Sequence, residues 1–532
     1  MTRLTITRTF ASAWLILGLA TLPALATANP AAEPGYKPIF NGTDLEGWTG
    51  DARFWRVENG AIVGETTPDN PARGNTFLIW DQGEVDDFEI KLRFRMPTEY
   101  ANSGVQIRSV RHDTYVIGGY QPDLSNDNWT GVMYEERGRG MLALRGETAV
   151  IAPDGTRTVA RWADGAELLK EVNLRGWNDY HITARGPHIV VRVNGLRMSE
   201  IIDLGPEARL DGLLAFQLHA GAPMRIEIKD VELRRLPLSD ERKKVVFVAG
   251  TPSHGYGNHE HRAGCLLLAR LLDENTDHIL STVYTNGWPK DPTAFDNADA
   301  VVMFSNGGGG HMVVPHLHAL HEVMKRGVGL GAIHYAVEVP KGEPGDLFLR
   351  WIGGYFETDW SVNPHWTANF EEIPCHACTR GVEPFEIYDE WYYHMRFADD
   401  QENITPIFSA LPPAESLKRS DGPHSGNPHV RAAVLERKEK QHLMWTYQRG
   451  TMPGRGFGIT GAHYHWNWAH PDFRTAVLNA IVWITGTEVA EGGIRTPAVT
   501  LDDLLVNQDY ERPANFNLDP WLKRFEAWHQ KP

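Results

Sequence analysis

Several short stretches in the first half of this 532-residue chain gather hydrogen-bonding and titratable groups onto common faces. In NSGVQIRS (102–109), strand alternation points Asn102, Gly104, Gln106 and Arg108 one way and Val105 and Ile107 the other. In AFQLHAG (215–221), Gln217 and His219 lie together, opposite Phe216 and Leu218. In GYQPD (119–123), Gln121 and Asp123 share a side. Amide, guanidinium, carboxylate and imidazole groups, with Tyr120, Trp129 and Tyr134 nearby, make the mixture a carbohydrate site needs: planar polar groups for hydroxyls and aromatic rings for sugar faces. The same alternation also describes the ordinary wet face of a half-exposed sheet.

The second half concentrates histidines where loops should follow strands. His254, His259, Glu260 and His261 follow the run VVFVA (245–249); His311 follows a Gly run; His334 ends VGLGAIH (328–334); His463 and His465 lie in the last loop. Such a cluster could bind zinc or another divalent ion, or line a sugar pocket. No H-E-x-x-H spacing selects the metal, which leaves its identity unknown. Asp389, Glu390 and Tyr393 in YDEWYYH are further pocket candidates, whereas His316, His318 and His321 read as a solvated helix face. Asn306 and the four glycines after it lack the Lys and Ser/Thr of a phosphate loop, so close backbone packing explains them as well.

Two kinds of element must position these groups. Up to about residue 236 the chain reads as short strands between turn residues. The clearest is FEIKLRFRM (88–96), apolar at every second position. Asn194-Gly195 is a hairpin signal, and the pattern predicts an antiparallel sandwich. PLSDERKK (237–244) reads as a linker. Buried strands then alternate with helices: strands at 245–249, 300–304 and 328–334, helices at 261–272, 314–326 and 476–485. That alternation predicts a parallel, doubly wound sheet, whose strand-end loops gather at one edge where ligands bind.

The ordered motifs FNGTDLEGW (40–48), FWRVENGAIVG (54–64), NSGVQIRS, GYQPD, GVMYEE (131–136), GWNDY (176–180) and FQLHAGAPM (216–224) resemble the 3-keto-disaccharide hydrolase domain. The second half resembles ThuA-like proteins, which share the class I glutamine amidotransferase fold. It does so through FVAGTPSHGYGNHEHRAG (247–264), ADAVVMFSNGGGG (298–310), GVGLGAIHYA (327–336), HACTRGVEPFEIYDEWYY (376–393) and the segment 456–486. The resemblances imply a multidomain chain. Its N-terminal domain is an all-β concanavalin-like jelly-roll sandwich at 36–236. Its C-terminal domain is α/β doubly wound, flavodoxin- or amidotransferase-like, at 245–487, with a tail at 488–532. Both imply keto-sugar substrates. A 3-keto sugar has an acidic C2–H; its removal expels the C1 substituent, and water addition completes a net hydrolysis. The reaction needs a base, an acid and stabilisation of the 3-oxygen. Asp123, Glu135, Glu136 and His219 are the acid–base candidates. Arg108 or a divalent cation would stabilise the enolate. Only one of Glu135 and Glu136 can face the pocket. Gln106, Arg108, Gln121, Tyr134, Gln217, His254, His334, Glu390, His463 and His465 are the substrate-binding candidates. The alternative is a non-catalytic glycan-binding sandwich attached to a ThuA-like domain that processes sugar or serves as a scaffold.

Composition bounds the rest. The formal net charge of −16 opposes phosphate backbones and disfavours nucleic acid. Arg3 and Arg8, an apolar run at 13–26 and Ala26-Thr27-Ala28 read as a signal peptide over 1–28, giving an exported, periplasmic or secreted protein with no membrane span after cleavage. Of three cysteines, Cys375 and Cys378 form a lone C-x-x-C, which fits a small disulfide, a metal ligand pair or plain loop residues. No Cys follows the third buried strand, so glutamine hydrolysis is not expected. No G-x-G-x-x-G follows a strand, so no redox cofactor is expected, and a separate sugar oxidoreductase must make the keto group.

Overall fold

The computed structural model describes residues 35–126 and 128–529. The expected signal peptide lies outside them. No helix among the described residues is long and apolar enough to cross a membrane.

The first part is a β-rich sandwich consistent with a jelly roll. One sheet has ten strands, with Phe88–Arg95 paired antiparallel to both Asn178–Arg185 and Arg225–Arg235. The other has seven, running Gly140–Ala143, Met133–Glu136, Val116–Ser125, Asn102–Asp113, Gly212–Leu218, Thr76–Val85, Trp48–Thr49. The period-2 pattern decides which face is inside. Phe88, Ile90, Leu92 and Phe94 of one sheet share a core with Val105, Ile107, Phe216 and Leu218 of the other. A smaller apolar group, Phe77, Ile79, Ala215 and Ile117, lies apart from that core.

The second part is mixed α/β. Its seven-stranded sheet runs Ile279–Tyr284, Lys243–Ala249, Ala300–Phe304, Gly329–Ile333, Arg455–Ile459, Gln441–Gln448, Ile404–Ala410. The first five are mutually parallel; Gln441–Gln448 runs antiparallel to its neighbours on both sides, Arg455–Ile459 and Ile404–Ala410. Successive residues of Lys243–Ala249 feed two cores. Val245 and Phe247 pack with Leu268 and Leu272 of helix His261–Asn275 and with Val477 of helix Pro471–Ile484. Val246 and Val248 pack with Leu320 of helix Leu317–Lys325 and Trp351 of helix Glu343–Ile352. Burial on both sides explains why these strands read as unbroken apolar runs. The Glu343–Ile352 helix stops at Gly353, which takes a left-handed φ of 78°. A Cβ there would meet the Tyr447 ring at 2.7 Å. The tail is anchored by Leu504, Leu518 and Phe525, all buried in the first of those two cores.

The strand expected at 245 begins at Lys243, because Lys244 is not a solvated linker residue. Its side chain is wholly buried, 2.5 Å from Asp86 of the sandwich. Arg235, at the end of the sandwich's last strand, lies 3.2 Å from the same Asp86 and 2.8 Å from Asp291 of the second part. Burial alone would raise the Asp86 pKa, but the two cations outweigh it and hold the carboxyl at about 2.

Candidate functional site

Two side-chain clusters carry the chemistry. In the sandwich, a chain of hydrogen bonds crosses one face of the seven-stranded sheet. Gln106 Nε2 donates to Gln121 Oε1 at 2.5 Å. Gln121 Nε2 donates to Asp123 Oδ1 at 2.6 Å and approaches Gln217 Oε1 at 3.4 Å. Gln217 Nε2 reaches Glu136 Oε2 at 3.3 Å, and Asn75 Nδ2 donates to Glu136 Oε1 at 3.1 Å. Asn75 also accepts the backbone N–H of Ala220, next to His219. Gly104 makes room for this row: a Cβ there would lie 2.4 Å from Gln121 Cγ. Tyr134 pairs opposite Gln121 and shares its side. Gln106, Gln121, Asp123 and Gln217 are buried, whereas Tyr134, Glu136 and His219 are half-buried, so the row opens at the Glu136 end.

Two sequence expectations need correction. Arg108 does not join Gln106. Register shifts after Ile107 in the pairing with Val116–Ser125, and between Leu213 and Ala215 in the pairing with Gly212–Leu218, mark a bulge. Arg108 has a φ of 47°. An extra residue in a strand breaks the alternation on which the face assignment rested. The Arg108 guanidinium is fully buried and donates to Asp86 O, Gly186 O and Asp87 Oδ1, so its role is structural. Glu135 also faces away. Arg139 donates to it through both its backbone N–H, at 2.9 Å, and its guanidinium, and that guanidinium bridges to Asp203. Glu136 is the member of the pair on the amide row.

The second cluster lies at the carboxyl ends of the parallel strands. His259 follows Lys243–Ala249, His334 follows Gly329–Ile333 and His463 follows Arg455–Ile459; Glu390 ends the strand Phe385–Glu390. All four are buried, and one donor atom from each lies within 4.8 Å of the others. The donors close a ring: His259 Nε2 to His463 Nδ1 2.9 Å, His463 Nδ1 to Glu390 Oε2 2.9 Å, Glu390 Oε2 to His334 Nε2 3.5 Å, His334 Nε2 to His259 Nε2 3.1 Å. Metal–ligand bonds of about 2.0–2.2 Å place neighbouring donors about 3–3.5 Å apart, so the ring fits a single divalent ion. The His334 tautomer fits too. Its Nδ1 lies 2.7 Å from Thr460 O, which can only accept, so Nδ1 carries the proton and Nε2 presents a lone pair inward. Burial would raise the Glu390 pKa, but the His334 and His463 imidazoles beside it outweigh burial and keep it well below the usual carboxylate range. Burial, reinforced by the neighbouring imidazoles, depresses the His259 pKa. Three imidazoles and one carboxylate make a donor set suited to zinc or a similar first-row ion.

The backbone is strained where it delivers these groups. His254, His259, His334 and Ala462 have φ of 65°, 48°, 54° and 85°. Each left-handed non-glycine residue costs roughly 1–3 kcal/mol and persists where its surroundings dictate it. The elbow that a nucleophile would occupy after Gly329–Ile333 is held by His334, while Cys265 is buried in a helix.

Of the other residues read from sequence, His254 stacks on His259 with ring centres 3.7 Å apart. His465 turns away; its ring is buried, and burial lowers its pKa to about 3. Tyr393 bonds Ser416, and it is Tyr392 whose hydroxyl lies 3.2 Å from His334 Nε2. Asp389 accepts the N–H groups of Ala462 at 2.6 Å and His463 at 3.1 Å.

The site thus belongs to a two-domain chain, a β-sandwich joined to an α/β domain with a histidine-rich strand edge. Residues 35–234 match the family model of the 3-keto-alpha-glucoside-1,2-lyase-like domain, and residues 244–484 match the ThuA model, described as trehalose utilisation. The chain carries these two domains in that order. No curated protein matches it. Among solved structures, a candidate glycosyl hydrolase from Parabacteroides distasonis is 19% identical over 38% of this chain and 99% of its own, with a TM-score of 0.27. A candidate ThuA-like protein from Bacteroides uniformis is 14% identical over 47% of this chain and 93% of its own, with a TM-score of 0.34.

Proposed function

We propose that the chain is an exported hydrolase of 3-keto-glycosides, cleaving the glycosidic bond in the sandwich and processing a related keto-sugar at the His/Glu centre. One observation carries this reading: Asp123 and Glu136 converge on one sheet face, linked through Gln121 and Gln217. A binding module needs no paired carboxylates, whereas elimination needs a base at C2. Glu136, at the open end of the row, takes the C2 proton as the C2–H bond breaks. The enolate then expels the C1 oxygen, which leaves with a proton supplied from the His219 side. Water adds across the C1–C2 double bond to complete the hydrolysis. The amides of Gln121 and Gln217 orient the sugar. A separate oxidoreductase supplies the keto group.

The second cluster supports the same substrate class. A divalent ion held by His259, His334, His463 and Glu390 would polarise a ketone and the hydroxyl beside it. The Tyr392 hydroxyl, 3.2 Å from His334 Nε2, would lie beside such an ion.

The test is reducing-sugar release by the full chain from a 3-keto-disaccharide and from its unoxidised parent. Cleavage of the keto form alone, lost in Glu136→Gln, is the expected result. Cleavage of neither form sinks the hydrolase reading.

A further inference from the structure

The tail beyond residue 484 lies outside both matched families, yet it reaches the rim of the His/Glu centre. Helix Asp519–His529 is fixed by Phe525, with Leu518 just before it, both buried in the α/β core. Three residues from Leu518, Trp521 lies against Tyr464, with ring centres 5.2 Å apart. One turn on, Arg524 sits 4.6 Å from the Trp521 ring and 5.4 Å from that of Tyr388. Tyr388 and Tyr464 are stacked at 5.9 Å. The wall then runs into the centre. Tyr464 directly follows His463, and its hydroxyl lies 3.3 Å from His365 Nδ1. His365 Nε2 lies 3.9 Å from Glu390 Oε1. Tyr388, Tyr464, Trp521 and Arg524 are half-buried, so the wall keeps open surface.

We infer that the tail helix, through Trp521 and Arg524 with Tyr388 and Tyr464, forms a subsite for a second sugar ring next to the His/Glu centre. The inference rests on the keto-sugar reading of that centre. Ring faces and a guanidinium are what a pyranose needs, since its C–H face packs on aromatics and its hydroxyls accept from Arg. The four donors of the centre itself are imidazole and carboxylate groups. The tail therefore sets substrate length: the site takes a disaccharide in preference to a monosaccharide.

The experiment compares zinc-dependent binding of 3-keto-glucose and of the 3-keto form of a glucose disaccharide by the full chain in a Glu136→Gln background, which leaves the disaccharide uncleaved. Trp521→Ala, Trp521→Phe and the parent chain are measured in that background, with zinc content and thermal midpoint recorded for each. Trp521→Ala should weaken the disaccharide about five- to tenfold, the worth of one aromatic contact, and leave the monosaccharide within about twofold. Trp521→Phe, which keeps a ring, should restore most of the loss. Equal weakening of both sugars, or of neither, overturns the subsite while leaving the centre's assignment intact. A parent chain that binds zinc but neither sugar removes the keto-sugar reading, and the subsite with it.

Discussion

Asp389 fixes His463 from behind: its carboxylate accepts the His463 backbone N–H at 3.1 Å, while the Glu390 carboxylate beside it lies 2.9 Å from the His463 imidazole. One dipeptide thus supplies both a donor of the centre and the clamp on a second donor. Asp389 also accepts from Glu390 N and Asn467 Nδ2. Asp389→Asn should weaken zinc binding about 10- to 100-fold, as loss of outer support typically does. Competition with a chromophoric chelator measures this; unchanged affinity would reduce Asp389 to a packing residue.

Replacing a donor should do more. In Glu390→Gln and His334→Ala, bound zinc should fall from stoichiometric to trace, while the far-ultraviolet circular dichroism remains that of the parent chain. Elemental analysis after dialysis against a weak chelator is the readout. Full retention of metal by both variants would mean that the four side chains do not form a metal site.

The two adjacent glutamates should separate cleanly. Glu136→Gln is expected to lower kcat on a 3-keto-disaccharide by about 10²–10⁴-fold, the usual contribution of a positioned base. Glu135→Gln should leave kcat within a few-fold and lower the thermal midpoint, because it loosens the Arg139–Asp203 contact network. A reversed pattern would move the base to the other face.

Arg108→Met should destabilise the fold by about 3–5 kcal/mol, since Asp87 and two backbone carbonyls lose a buried cation. Urea denaturation measures it. The KM of the folded fraction should not move, as Arg108 has no surface exposed to substrate.

Acid should act on the joint between the domains. The folded pKa of Asp86, about 2, lies below its unfolded value near 3.8. The stabilisation, on the order of 2 kcal/mol, is therefore present above about pH 4 and is lost as the pH falls toward 2. Thermal midpoints recorded across that interval should show a drop that is shallower in Asp86→Asn. Parallel curves would place the acid sensitivity elsewhere.

The sheet elements and their faces were readable wherever the period was clean. FEIKLRF alternates in the structure as in the sequence, and VVFVA is buried on both sides. Parity correctly grouped Gln106, Gln121, Asp123 and Gln217, because each lies in a regular stretch. It failed at Arg108 because a bulge is invisible in residue type: a polar residue on the wrong face looks like one on the right face. His334, Glu390 and His463 were legible as a group at one sheet edge. His259 shares one loop with His254 and His261, and residue types give no sign of which of the three points at the centre. The left-handed backbone at His259 decides that, and no side-chain pattern encodes it. Tyr392 and Tyr393 differ by one position past the end of a strand, where alternation no longer applies.

The buried ions at the joint have a consequence for how such chains can be recombined. Asp86 and Arg235 come from the sandwich and answer each other, whereas Lys244 and Asp291 of the second domain meet their opposite charges only when both domains are present. Separated, Asp86 would lose Lys244, and Asp291 would lose Arg235. The second domain grafted onto another partner would carry the unanswered charges of Lys244 and Asp291 into its new boundary. The two domains are therefore not interchangeable cassettes: a functional swap must transplant this quartet as a unit.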